Sequence, residues 1–259
     1  MNQSERRLYL IRRLVDEKPD YRGMKISEDV NKQKMLLRAL MNIRMSEPAD
    51  SEFLKIQDEY LQEEIRMKGI VKLKHLTPIM KDIYLWKGDI TLLETDAIVN
   101  AANSGMTGCY VPNHLCIDNC IHTFSGVQLR LECADLMEKQ GHPEPTGSAK
   151  ITSAYNLPSK YVIHTVGPIV HRELEQRHID LLKSSYNSCL EIAEKNGLKS
   201  IAFCCISTGL FGFPSEEAAK IAIDTVINFK KKHNSNIKVV FNVFKQKDYD
   251  IYSKILIEK

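Results

Sequence analysis

The 259-residue chain has little net charge, a single tryptophan and no long run of apolar residues. Its formal net charge of +3, with acidic residues interspersed among the basic ones, argues against a nucleic-acid-binding surface. No window reaches the roughly 20 apolar residues that a membrane-spanning helix requires. The first residues include neither a long uncharged stretch nor a small-residue cleavage site, so no signal peptide is expected. We therefore expect a cytoplasmic protein that binds neither nucleic acid nor membrane.

The abundant residue types are those of a folded, core-forming protein. Apolar residues make up 43% of the chain, which is enough for a large core, and charged residues make up an ordinary 27%. Seven cysteines is an odd number for a disulfide framework. Without an export signal, we expect these cysteines to be reduced thiols or metal ligands.

Residues 1–70 differ in pattern from the rest and predict an N-terminal extension of about three helices. Pro19 and Pro48 separate its segments, and no chemical motif is present. The apolar residues that share a helical face are Leu8, Ile11, Leu14 and Val15, then Leu36, Leu37, Leu40 and Met41, and last Phe53, Leu54, Ile56, Tyr60 and Leu61. We interpret this region as a packing extension, with coverage of one edge of a binding site as the alternative.

Residues 71–259 alternate short β-rich runs with helical ones, which predicts an α/β domain in three layers. Several of the runs are apolar throughout, as expected for strands that are buried on both faces. The predicted strands are Ile83–Trp86, Ala97–Ala101, Ala149–Ala154, Tyr161–Val166, Ile201–Ile206 and Val239–Val243. The predicted helices are Asp118–Glu138, Glu175–Asn196, Ser215–Lys231 and Asp248–Ile257.

Two polar motifs follow predicted strands. Asp89, after the turn at Gly88, offers a carboxylate that can accept a hydrogen bond from an exocyclic amine such as that of adenine. Its alternative role is to cap a short helical turn. The stretch from Asn100 to Asn103 places two amides around two small residues and could hold sugar hydroxyls, although an ordinary polar turn has the same composition.

A glycine-containing loop follows the strand that ends near Ile206. Gly209 and Gly212 allow the backbone to fold tightly and to present N–H groups to an anion. Phe211 or Phe213 could cover a ribose face. The loop lacks the lysine of a phosphate-binding P-loop and the spacing of a dinucleotide fingerprint, so neither assignment applies. A simple strand-to-helix turn is the alternative.

The most informative segment holds Cys109, His114, Cys116 and Asp118 within ten residues. Two thiolates and an imidazole suit zinc better than magnesium or calcium. Three protein ligands leave a fourth position open, as in catalytic zinc sites. A structural site would need a fourth ligand, for which Cys120 and His122 are the nearby candidates. For His122 we prefer a helix residue that packs and hydrogen-bonds, and for the other cysteines we prefer small core residues.

Taken together, the order of these motifs along the chain and their positions at strand ends resemble those of the macrodomain family. Thr146–Thr152 and Val162–Pro168 add to the resemblance, which runs from about Tyr84 to the C-terminus. It implies a three-layer α/β/α fold with a mixed central sheet and a pocket for ADP-ribose. The ADP-ribose-binding residues that it implies are Asp89, Ile90, Asn103, Ser207, Thr208, Gly209, Leu210, Phe211 and Gly212.

In the hydrolytic macrodomains that the chain resembles, a glycine run precedes Val-Asp-Gly-x-Ile-His. Residues 117–122 match that tail, whereas residues 109–116 replace and lengthen the glycine run. This departure is similar to the zinc-containing subgroup of microbial macrodomains, which are protein-ADP-ribosyl hydrolases. The resemblance implies Zn²⁺ held by Cys109, His114 and Cys116, with Asp118 and Asn103 as the catalytic residues.

The activity implied by the resemblance is hydrolysis of mono-ADP-ribose from protein carboxylates, with a sirtuin-type transferase and a lipoylated carrier protein as implied partners. Zinc would either activate water or hold the ribose, and the sequence leaves both open. Two other classes stay open as well: a reader that binds ADP-ribose without cleaving it, and a zinc-stabilised interaction scaffold. A cluster without metal is a further alternative, although exposed clustered thiols would be prone to oxidation.

Overall fold

The N-terminal region folds as three helices in a computed structural model that describes all 259 residues. Helices α1 (Gln3–Asp16), α2 (Val30–Ile43) and α3 (Ser51–Lys68) each begin at a residue whose side chain accepts a backbone N–H: Asn2, Asp29 and Asp50. Their apolar faces form a separate core of 11 buried residues. Leu10 is buried in this core instead of the predicted Leu8, and the predicted Leu36 and Leu54 are only partly buried against it.

Nine strands follow. Their bounds are β1 Val71–Lys72, β2 Pro78–Met80, β3 Ile83–Lys87, β4 Leu93–Glu94, β5 Ala97–Ala102, β6 Ala149–Ser153, β7 Tyr161–Val166, β8 Ser200–Phe203 and β9 Lys238–Val243. Seven of them form one sheet in the order β2-β3-β9-β8-β5-β7-β6, and β1 pairs with β4. The five inner strands are parallel, while the edge strands β2 and β6 run antiparallel to their neighbours. The predicted α/β fold with a mixed sheet is confirmed.

Five further helices cover the sheet. They are α4 Ile117–Ser125, α5 Val127–Gln140, α6 Gln176–Lys195, α7 Ser215–His233 and α8 Gln246–Ile257. Helix α7 packs between α6 and α8, whereas α4 and α5 pack against β5 and β6. Helices α2 and α3 contact α4, and Ile65 of α3 joins the 44-residue core of the sheet domain. Because α3 shares a core with the sheet domain, the division into residues 1–70 and 71–259 stays a prediction. No helix is both long and apolar enough to cross a membrane.

The single helix predicted over Asp118–Glu138 is wrong. Two helices meet at Gly126, whose φ of +100° lies outside the helical region. The side chain of Gln57 in α3 then caps the second helix by accepting the Val127 N–H at 2.9 Å. A periodicity of apolar residues that continues across a glycine does not reveal such a break.

The strand predicted over Ile201–Ile206 ends at Phe203, and the edge strand β2 was not predicted at all. Strand β2 is three residues long, begins at a proline and has no fully buried residue. Such a strand lacks the apolar alternation on which strand prediction depends.

Candidate active site

The candidate site lies where the parallel strands β3, β5, β7 and β8 end. Ligand sites in open α/β sheets occupy this edge because the loops that leave parallel strands meet there. The loop after β5 carries the candidate metal ligands, the turn after β3 carries Asp89, and the loop after β8 carries the glycines. Gly212 lies against the backbone of Val170, in the segment after β7, and Val170 N–H donates to Phe211 O at 2.8 Å.

Asp118 lies in the first turn of α4 and is 5% exposed. Its Oδ1 accepts the Asn100 amide at 2.8 Å, and its Oδ2 accepts the Asn103 amide at 3.3 Å. Burial raises the pKa of Asp118 to about 6, against the hydrogen bond from Asn100 and the charge of Arg130. The carboxylate is therefore fixed from two sides in a partly desolvated position.

Asn100 does not play the role suggested by its sequence motif. Its side chain is fully buried and bonds inward, to Asp118 and to His164 Nδ1 at 3.1 Å, so it does not reach a sugar. Asn103 is exposed at the end of β5, as a ribose contact requires. Both amides of the motif thus bond to Asp118, but only Asn103 is also exposed at the surface.

The three predicted metal ligands converge in space. We use the name ligand loop for residues 104–116, which contain Cys109, His114 and Cys116. The ligand atoms of these three side chains all lie within 4.8 Å of one another, and Cys109 Sγ is 3.4 Å from His114 Nδ1. All three side chains are half-buried. Two thiols and an imidazole that converge in this way fit a single soft metal ion such as zinc.

Cys116 also caps helix α4, because its Sγ accepts the Asn119 N–H at 3.4 Å. Burial raises the pKa of the Cys116 thiol to about 12, and the neighbouring Cys109 and Asp118 add to that shift. A thiol in these surroundings stays protonated unless a cation compensates the charge of its thiolate. The donor set is therefore suited to bind a metal together with loss of thiol protons.

Neither proposed fourth ligand belongs to this cluster. His122 belongs instead to a second, fully buried group with Cys133 and His164. Its two ring nitrogens make no hydrogen bond within the chain, so the expectation that His122 packs and hydrogen-bonds is only half met. Burial lowers the pKa of His122 well below its ordinary value. Cys120 was expected in the core but is half-buried, with its Sγ 3.4 Å from Arg38.

The glycine-containing loop after β8 leaves several backbone donors free. The N–H groups of Gly209, Leu210 and Phe211 make no hydrogen bond within the chain. The loop is closed by Phe213 N–H to Ser207 O at 3.0 Å and by Gly212 N–H to Gly209 O at 3.1 Å. Free backbone donors in a closed loop next to a helix N-terminus can bind an anion.

The two aromatic side chains of this loop differ in accessibility. Phe213 is 2% exposed and packs in the core, so only the half-buried Phe211 can cover a ribose face. Thr208 uses its hydroxyl locally, donating to Cys205 O at 3.1 Å.

Asp89 acts as a cap in the structure. Its Oδ1 accepts both the N–H and the hydroxyl of Thr91, at 3.0 and 2.6 Å, at the start of a short 3-10 helix. The side chain is half-buried, and Oδ2 has no partner within the chain. Ile90 is 2% exposed, so only its backbone is available to a ligand. The 3-10 helix contacts α4, the helix that carries Asp118.

Arg130 of α5 is a site residue that the sequence did not reveal. It is 5% exposed, donates to Thr107 O at 2.8 Å in the ligand loop, and lies over the Tyr110 ring at 4.3 Å. A lone arginine in an amphipathic helical pattern resembles a surface residue. Nothing in its local sequence indicates that a loop 23 residues away packs onto it.

Comparisons with known proteins show which proteins this chain is similar to. The family model described as Macro domain matches residues 99–222. A protein from Treponema medium named protein-ADP-ribose hydrolase is 58% identical over 260 residues, which is 99% of this chain and 100% of that protein. A protein of the same name from Staphylococcus aureus strain COL is 47% identical over 248 residues, which is 95% of this chain and 93% of that protein.

Two solved structures resemble the fold. The Trypanosoma brucei macrodomain in complex with ADP-ribose has a TM-score of 0.67 at 30% identity. The match covers 89% of this chain and 97% of the Trypanosoma brucei chain. The Oceanobacillus iheyensis macrodomain with ADP has a TM-score of 0.63 at 37% identity. That match covers 71% of this chain and 96% of the Oceanobacillus iheyensis chain.

Proposed function

Since this chain belongs to the macrodomain family, we propose that it is a hydrolase that releases mono-ADP-ribose from modified proteins. The observation that carries the proposal is its similarity, over 99% of the chain, to a relative named protein-ADP-ribose hydrolase. The site geometry supports it, because a buried carboxylate lies next to three side chains that could hold a metal ion at the ligand edge of the sheet.

Each part of ADP-ribose has a candidate partner. The free N–H groups of residues 209–211 would bind the pyrophosphate, with Ser207, Thr208 and Gly212 shaping that loop. The unpaired Oδ2 of Asp89 would accept the adenine amine, next to the backbone of Ile90. Asn103 would contact the distal ribose near Asp118. The reactive end of the sugar would then lie beside the ligand loop.

Asp118 is the candidate general base. Each of its oxygens accepts one amide hydrogen bond and keeps a lone pair, so the carboxylate can also accept a proton from water. The water oxygen would form a bond to C1 of the distal ribose as Asp118 takes its proton. The bond from C1 to the acceptor carboxylate would break, and the protein side chain would leave as a carboxylate.

Cys109, His114 and Cys116 would hold the zinc ion. When bound, zinc would supply Lewis acidity and one open ligand position, offered either to water or to a ribose hydroxyl. The ligand loop would therefore orient the sugar while Asp118 and its two amides hold the proton acceptor. Ester-linked Asp or Glu acceptors, a sirtuin-type transferase and a lipoylated carrier protein stay predictions, as does a cytoplasmic location.

One assay separates this proposal from its alternatives. Zinc-loaded protein is incubated with a mono-ADP-ribosylated acceptor, release of free ADP-ribose is followed, and ADP-ribose binding is measured in parallel. A hydrolase both binds ADP-ribose and releases it from the modified acceptor. Binding without release would identify a reader, and absence of both would leave a scaffold. Acceptors modified on Glu, Ser and Arg side chains, tested separately, would identify the linkage.

The pyrophosphate role of the glycine loop yields a prediction at Gly212. This residue has a φ of +69°, and a Cβ there would lie 2.7 Å from the backbone oxygen of Val170. Gly212→Ala should therefore displace the loop and lower the affinity for ADP-ribose by about tenfold or more, measured by calorimetry. Gly141→Ala is the matched control, since Gly141 shares a positive φ of +74° but has no atom within 4 Å of the added Cβ. Equal affinities in the two variants would contradict the role of the loop.

A further inference from the structure

Arg38 of helix α2 is bound into the loop that carries the metal ligands. One nitrogen of its guanidinium donates to the backbone oxygen of His114 at 2.8 Å and to Asn119 Oδ1 at 3.0 Å. These partners are 76 and 81 residues away along the chain. A cation of the N-terminal region therefore bonds directly to the backbone of a predicted metal ligand.

Through Asn119, Arg38 is also connected to the backbone of a second predicted metal ligand, Cys109. Because Arg38 donates to Asn119 Oδ1, the amide nitrogen of Asn119 points the other way. That nitrogen donates to Cys109 O at 3.2 Å and to Val111 O at 3.0 Å. The backbone N–H of Asn119 donates to Cys116 Sγ. Arg38 thus orients a side chain that bonds to the ligand loop at two carbonyls.

Asn42, one turn further along α2, makes a second direct bond to the loop. Its Oδ1 accepts the Asn113 N–H at 2.9 Å, next to His114, and its amide donates to Thr123 Oγ1 at 2.8 Å. Asn42 is 1% exposed, so these bonds are shielded from water. The φ of Asn113 is +55°, in the left-handed region that asparagine adopts more often than most residues.

Arg130 completes the connection from the sheet domain. Its guanidinium donates to the backbone oxygens of Met41 and Asn42 at the end of α2, as well as to Arg44 O and to Thr107 O in the ligand loop. The C-terminal end of α2 and the ligand loop are therefore bound to the same buried cation. The ligand loop itself contains no helix or strand.

From these contacts we propose that the C-terminal half of α2 is a clamp that fixes the ligand loop and sets its affinity for zinc. Arg38 and Asn42 are its positioning residues, and neither belongs to the ligand cluster. The inference rests on the proposed zinc site and extends it, because it gives the N-terminal helices a role in metal binding. Residues that hold metal ligands in place contribute about 10- to 100-fold to metal affinity.

The test compares zinc affinities of the full-length protein by competition with a chromogenic chelator. Arg38→Met keeps the apolar stem and removes the donors, so we expect zinc binding to weaken about 10- to 100-fold. Arg38→Lys restores one cationic donor and should recover part of that loss. Lys32→Ala is the matched control, because Lys32 is an exposed cation at the start of the same helix with no side-chain partner. Zinc affinity should stay unchanged in this control.

Two further readouts separate positioning from general destabilisation. Melting temperatures identify any variant that loses the fold, and ADP-ribose affinity should stay within about twofold of the wild-type value because the adenine and phosphate residues lie elsewhere. Asn42→Ala removes the acceptor of the Asn113 N–H. In metal-free protein it should speed hydrogen exchange in residues 109–114, and it should also weaken zinc binding.

The outcomes distinguish the clamp from the metal site itself. Wild-type zinc affinity in both Arg38→Met and Asn42→Ala would overturn the clamp and leave the zinc site standing. A wild-type protein that holds no zinc would instead overturn the metal site, and the clamp with it. Weakened zinc binding in both variants, partial recovery in Arg38→Lys and no change in Lys32→Ala would support the clamp.

Discussion

Replacing Cys116 by alanine should empty the metal site and reduce turnover by about 1000-fold or more, while some ADP-ribose binding persists. The cluster offers only three ligand atoms, and the two that remain after the substitution cannot hold zinc tightly. The adenine and pyrophosphate residues belong to other loops, so binding of the nucleotide part does not depend on Cys116. Zinc content by elemental analysis, ADP-ribose release and ADP-ribose affinity are measured on the same preparation.

Cys189→Ala is the matched control for this experiment. It also replaces a thiol by a methyl group, but Cys189 is fully buried in α6 and belongs to neither metal-binding group. Zinc content and turnover should match the wild-type values. Full turnover in a Cys116→Ala protein that contains no metal would exclude zinc from the reaction.

Replacing Asp118 by alanine should leave zinc in place and slow hydrolysis by about 100- to 10,000-fold, the contribution of a general acid or base. Asp118 lies outside the three-ligand cluster, and its oxygens accept hydrogen bonds from Asn100 and Asn103. Loss of the carboxylate therefore removes the proton acceptor without removing a ligand. Single-turnover rates at saturating protein measure the chemical step apart from binding.

The control for Asp118 is Asp135→Ala on the neighbouring helix α5, where the carboxylate is exposed. Hydrolysis by this variant should equal that of the wild-type protein. Loss of zinc from Asp118→Ala would show that Asp118 is a ligand and would reassign its role. An unchanged rate with zinc bound would remove Asp118 from the mechanism.

The parts of the fold that the sequence predicted are those with strong local patterns. The strands β5 and β7 are rich in apolar residues and almost wholly buried, and their bounds match the predicted ranges to within one residue. The grouping of Cys109, His114 and Cys116 also followed from the sequence, since eight residues of loop keep the three side chains close together. In both cases, residues close together in the sequence were enough to predict the feature.

The parts that were missed depend on contacts between distant segments. Asn100 is in the predicted motif, but only the burial of β5 decides that its amide supports Asp118 rather than a sugar. The break at Gly126 depends on Gln57 of α3, which bonds to Val127 from 70 residues away. Arg38 contacts the ligand loop across a similar distance along the chain. The periodicity of apolar residues predicts which face of a helix is apolar, but it does not predict which loop packs on the polar face.

We expect the release of ADP-ribose from protein to require a metal held by Cys109, His114 and Cys116. The most direct measurement follows ADP-ribose release from a mono-ADP-ribosylated acceptor by one preparation in three states: as purified, stripped by a chelator, and reloaded with one equivalent of zinc. We predict that stripping abolishes release and that zinc restores it, whereas magnesium does not. Undiminished release by protein shown to contain no metal would contradict this expectation.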